Sequence, residues 1–132
     1  MAGRNESALR SHLGRARGLG SAHEGLHHWW AQRLTALALI PLSLWFVASV
    51  VCMAGADYAA VSQWLAQPFT VGALSLTILA VFYHAVLGLQ VVIEDYIHGK
   101  ALKLALLVGL QFAGFGLAAA AIVSLLVIAF AG

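Results

Sequence analysis

Four residue types at fixed spacing carry the chemistry of this sequence: His84, Gly88, Asp95 and Tyr96. His84 stands in a run that holds no Asp, Glu, Lys or Arg from Tyr58 to Ile93. A neutral imidazole in such surroundings is either hydrogen-bonded to a neighbouring helix or an axial ligand of haem iron. Gly88, one helical turn on, leaves a bare patch beside it. That patch suits a flat macrocycle and suits close helix packing equally. Asp95 follows His84 by eleven residues, which on a helix is about 20° past three full turns and a rise of about 16 Å. His84, Gly88 and Asp95 therefore share one helix face. Asp95 and Tyr96 together offer an acid and a phenol, able to bind and protonate a polar redox headgroup. The same pair also suits the plain end of a helix. A second group, His27, His28 and Arg33, offers cations suited to the carboxylates of a cofactor. Those residues equally suit a basic anchor beside the aromatic residues Trp29 and Trp30.

The elements that must position these residues are membrane-spanning helices. The chain has 132 residues, 62% hydrophobic and 9% charged. A soluble domain carries about a quarter charged residues. The few charges are also segregated: Leu34 to Ala56, Tyr58 to Ile93 and Leu104 to Gly132 hold none. A bilayer core takes about 20 apolar residues in helical form, so the gaps hold three spans. An all-α membrane protein is predicted, with helices at about 29–54, 69–95 and 102–130. Residues 26–132 form the membrane domain; 1–25 are a flexible polar tail, with no apolar stretch of signal-peptide length. Pro41 lies inside the first span, where a proline is tolerated. Asp57 is placed to cap a short interfacial helix carrying Tyr58 and Trp64, and Pro68 to open the second span. Gly99 is placed to stop it.

All seven lysines and arginines lie in the tail, at the start of helix 1 or beside the second connector. The positive-inside rule then predicts a cytoplasmic N-terminus and a periplasmic C-terminus. Antiparallel packing of the first two spans is expected to bring Arg33 to the depth of Asp95. Gly109, Ala113, Gly116 and Ala120 make a small-residue stripe on the third span, for packing within this chain or on a partner. The net charge of +2 is too small to suggest nucleic-acid binding. One cysteine, Cys52, excludes an internal disulfide. The chain lacks a dinucleotide fingerprint and the cysteines of an iron–sulfur site.

The run from His84 to Asp95-Tyr96, with glycine four residues after the histidine, resembles helix 2 of the small hydrophobic anchor subunit of succinate dehydrogenase (complex II). The run His27-His28-Trp29-Trp30-Ala-Gln-Arg33-Leu-Thr35-Ala36 resembles that family's first helix, where a histidine precedes Arg-x-Thr-Ala by six residues. The resemblance covers about residues 25–132. It implies an anchor that is non-catalytic alone and sits in the bacterial inner membrane, the mitochondrial inner membrane being the alternative. The anchor would hold a flavoprotein and an iron–sulfur subunit, and pair with a larger cytochrome b anchor subunit. It further implies that His84 is one axial ligand of a haem b, with Gly88 against the macrocycle. The second ligand would come from the larger anchor. Tyr96 would hydrogen-bond ubiquinone and Asp95 would support it. Arg33 with His27 or His28 would lie near the haem propionates and quinone pocket. The competing readings are the anchor of a quinol:fumarate reductase and a haem-free structural or transporter subunit.

Overall fold

A computed structural model describes residues 22–131, with side chains from Gly25 onward. Four helices follow in order: α1 (Ala22–Cys52), α2 (Tyr58–Leu65), α3 (Pro68–Tyr96) and α4 (Lys100–Ala131). No strand occurs among the described residues. Three helices are long and apolar enough to cross a membrane: Gly25–Cys52, Pro68–Tyr96 and Lys100–Ala131. The expected all-α, three-span architecture is thus present. Helix α1 begins at Ala22, seven residues before the expected start, and runs unbroken through Pro41. The reading of 1–25 as a flexible tail falls largely outside the described residues. Residues from Ala31 onward pack as one compact unit.

The connectors obey the local chemistry of their residues. The Asp57 carboxylate accepts the Ala60 N–H at 2.8 Å and caps α2, relieving a donor that the first turn leaves unpaired. Gly55 adopts φ +85° just before it, a conformation that side chains other than glycine rarely take. Pro68 opens α3, where its missing N–H costs nothing. Trp45 of α1 stacks on Trp64 of α2, ring centroids 6.2 Å apart, and meets Phe69 of α3 edge-on at 6.0 Å. This aromatic cluster ties the first three helices together at one end. At the other end, Lys103 Nζ donates to the Glu94 carbonyl oxygen at 2.9 Å. A cation there complements the negative end of the α3 dipole.

Helices α3 and α4 pack closely where Gly114 meets Val86. Thr70, Leu74 and Leu87 of α3 and Gly114, Ala118 and Leu125 of α4 are the buried residues. Gly114 faces Val86, and a Cβ on Gly114 would overlap Val86 Cγ2. The stripe of Gly109, Ala113, Gly116 and Ala120 is not part of this seam: all four are exposed. A Cβ at Gly109 or Gly116 would meet nothing within 4 Å. Most large apolar side chains also face outward, Phe112, Phe115 and Phe130 being 76%, 80% and 81% exposed. An apolar exterior on this scale is what lipid or partner helices cover.

The seam makes a direct prediction. Val86 is β-branched and stiff in a helix, so Gly114→Ala must push α3 and α4 apart. Overpacking of this kind costs about 1–3 kcal/mol. Thermal unfolding of the full chain in mild detergent should show a lower Tm for Gly114→Ala and an unchanged one for Gly116→Ala. Equal midpoints for both variants would show that the Gly114–Val86 contact does not limit packing.

Candidate functional site in the α1–α3 cleft

The site is built on two helix faces. Positions 32 and 35 are one turn apart on α1 and present neighbouring side chains; positions 84 and 88 do the same on α3. Thr35 Oγ1 lies 3.0 Å from His84 Nδ1. The same hydroxyl is 2.8 Å from the Ala31 carbonyl oxygen and 3.1 Å from that of Gln32. A hydroxyl has one proton, and a carbonyl can only accept. Thr35 can therefore donate to its own helix and accept from His84, an arrangement that puts the ring proton on Nδ1. His84 Nε2 is left with its lone pair. Gln32 Nε2 donates toward that lone pair at 3.4 Å, longer than an ordinary N–H hydrogen bond. Gln32 Oε1 is buried with no hydrogen-bond partner among the described residues.

This geometry corrects one expectation. Gln32 and Thr35 meet His84, so Arg33 lies at the depth of His84. Asp95 is about 16 Å further along α3. The longer α1 places Arg33 about three turns inside its helix rather than at its start. Arg33 is exposed on the α1 surface.

Asp95 and Tyr96 stand apart from this cleft, about three turns along α3 from His84. They close α3 and are exposed, Tyr96 by 76%. Next to them, Gln90 Nε2 donates to Glu94 Oε1 at 2.9 Å. On the N-terminal part of α1, His27 is exposed and His28 half-buried. The His28 Nε2 atom is buried and has no hydrogen-bond partner among the described residues. A cavity of about 580 Å³ opens elsewhere, between α3 and α4, lined by Tyr83, Val86, Gln90, Gln111 and Phe112 among others. It lies roughly a third of a turn around α3 from His84, and His84 does not line it.

The family model described as succinate dehydrogenase/fumarate reductase transmembrane subunit matches residues 7–130. This chain belongs to that family. Its curated relatives include succinate dehydrogenase hydrophobic membrane anchor subunits. That of Rickettsia bellii (strain RML369-C) is 35% identical over 103 residues, 78% of this chain and 82% of the relative. That of Rickettsia conorii (strain ATCC VR-613 / Malish 7) is 36% identical over 104 residues, with the same coverages of 78% and 82%. That of Paracoccus denitrificans is 33% identical over 110 residues, 83% and 84% of the two chains. The expected resemblance is thus borne out at the level of the family and of the anchor subunit.

Anchors of succinate dehydrogenase imply a haem, and the donor set here fits one. A metal-ligating histidine usually donates its second ring N–H to an acceptor that fixes the tautomer. Thr35 does that for His84 and leaves Nε2 as the metal-competent nitrogen. Among the described residues no group of three or more His, Cys, Asp or Glu could hold a bare ion. Iron carried by its own macrocycle needs only axial ligands, so a single imidazole suffices on this side. Sequence reasoning assigned no role to Gln32 or Thr35. Both lie in the helix-1 run quoted above, and their spacing of three on a span was the available signal.

Proposed function

We propose that the chain is the small membrane anchor of a succinate:ubiquinone oxidoreductase, complex II. The observation that carries this reading is the Thr35–His84 contact, which leaves Nε2 of a membrane-embedded imidazole ready for iron. His84 Nε2 would hold the iron of haem b from this chain, with a second ligand from the larger cytochrome b anchor. When bound, haem b supplies reversible one-electron chemistry. Thr35 holds the imidazole plane and keeps its proton on Nδ1. Gly88 removes a side chain beside the macrocycle. The common depth of Arg33 and His84 favours a place for Arg33 at the propionates rather than at the quinone edge. His27 or His28 completes that basic group.

Ubiquinone binds at the end of α3, where Asp95 and Tyr96 project toward water. The Tyr96 hydroxyl donates to a quinone carbonyl oxygen, and Asp95 relays protons from water to the reduced ring. Two electrons from the iron–sulfur subunit and two protons complete ubiquinol. The chain binds and protonates; the flavoprotein subunit oxidises succinate. The complex sits in the bacterial inner membrane with the N-terminus of this chain cytoplasmic. The placement of all seven lysines and arginines supports that orientation.

Three measurements test this reading. His84→Ala in the purified complex should convert the haem spectrum to high spin or remove the haem; an unchanged low-spin spectrum would exclude His84 as a ligand. A reporter fused after Gly132 should be active only on the periplasmic side; cytoplasmic activity would mean a span is missing or extra. Tyr96→Phe removes one phenolic hydrogen bond and keeps the ring. An unsatisfied partner costs about 1–3 kcal/mol and about 1.4 kcal/mol is tenfold in rate. Succinate–quinone activity should fall by about fivefold to a hundredfold, while succinate–dye activity upstream of quinone stays near normal. If neither falls, Tyr96 is not a quinone contact.

A further inference from the structure

Gln32 has no part in the proposed haem and quinone roles, yet its half-buried side chain is placed unusually for an amide. Its Nε2 makes a long contact of 3.4 Å to His84 Nε2. Its Oε1 is buried without a hydrogen-bond partner among the described residues. Buried carboxamides normally have both ends satisfied, because burial strips them of water. The same Nε2 is the nearest atom to the Cβ that Gly88 lacks, at 3.7 Å. One amide thus covers both the metal-competent nitrogen of His84 and the bare backbone of Gly88.

That position cannot be shared. A metal–imidazole bond is about 2 Å long, as it is for zinc. The Gln32 amide nitrogen, 3.4 Å from the same ring nitrogen, would crowd a metal bound there. The amide is also poorly held, by one weak hydrogen bond and with its oxygen unpaired. A well-paired amide would resist displacement, whereas this one loses little by moving.

We propose that Gln32 is a displaceable stopper on His84. It caps Nε2 through a weak N–H···N hydrogen bond and fills the space over Gly88. Haem entering the α1–α3 cleft displaces it. Gln32 is therefore a positioning residue that controls haem entry without ligating iron. The proposal rests on His84 being the haem ligand.

The test uses the complex purified through this chain from haem-deficient cells, with haemin added and the low-spin band followed in time. Gln32→Leu keeps the volume and removes the hydrogen bond; Gln32→Ala removes both. Both variants should take up haem about 2- to 10-fold faster, the rate equivalent of one net hydrogen bond. Both should reach the wild-type haem content and low-spin spectrum. Unchanged uptake rates in both would overturn the stopper. A lower final haem content in both would overturn it too, by making Gln32 a holding contact. His84→Ala, run alongside, isolates the underlying reading: a low-spin end point there defeats the ligand assignment itself, whatever Gln32 does. If the complex does not assemble without haem, 15N-histidine spectra of the full chain in micelles decide the question. Gln32→Leu must then shift the His84 Nε2 resonance, and an unmoved resonance rules the stopper out.

Discussion

An imidazole inside a bilayer has no water to satisfy its ring nitrogens, and the site of this protein is organised by how they are satisfied. Thr35 spends its only proton on its own helix, at the Ala31 carbonyl oxygen 2.8 Å away. Its oxygen is then an acceptor for His84 Nδ1, 3.0 Å away. Backbone geometry in one helix thereby fixes a tautomer in another. The contact also fixes the register of α1 against α3, because a shift of one residue would rotate Thr35 by about 100° and out of reach. The depth of Arg33, the cover over Gly88 and the free lone pair on Nε2 all follow from that register.

The two faces of α3 are used for opposite purposes. Toward α4, Val86 meets a glycine backbone and leaves no room for a methyl group. Toward α1, the polar side chains of Gln32 and Thr35 bridge the gap to His84. A rigid seam on one side can hold α3 still while the cleft on the other side changes its contents. The Trp45, Trp64 and Phe69 cluster closes the far end of the bundle, so α1 is held where it does not touch the site.

Much of this was legible in the sequence. The segregation of charge gave three spans, because few arrangements other than membrane helices tolerate uncharged runs of that length. Asp57 and Pro68 gave their caps because capping depends on neighbours along the chain. The face shared by His84, Gly88 and Asp95 followed from helical periodicity alone. What was not legible depended on register between helices. Arg33 was expected at the depth of Asp95 because α1 was started seven residues late. The stripe from Gly109 to Ala120 fitted either of two uses, since small residues at helical spacing mark close approach without saying whose. Thr35 and Gln32 were visible only as part of a motif. Their roles need the distance across a cleft, which composition and periodicity do not carry.

The depth of Arg33 has a consequence for the chemistry around it. A guanidinium cannot shed its charge, and holding one within a span costs about 2.5–3.5 kcal/mol on translocon-insertion scales. The cost is offset when the side chain reaches the interface or when an anion meets it at depth. Arg33 is adjacent in sequence to Gln32, and Gln32 touches His84. Under the proposed reading the anion is a haem propionate, carried into the membrane by the same macrocycle whose iron binds Nε2. The ligand and the counter-charge then arrive together. Such coupling suits a cation at the depth of the His84 imidazole. It also separates the two ends of α3 by function: the end bearing Asp95 and Tyr96 is exposed, while the cleft at His84 is half-buried.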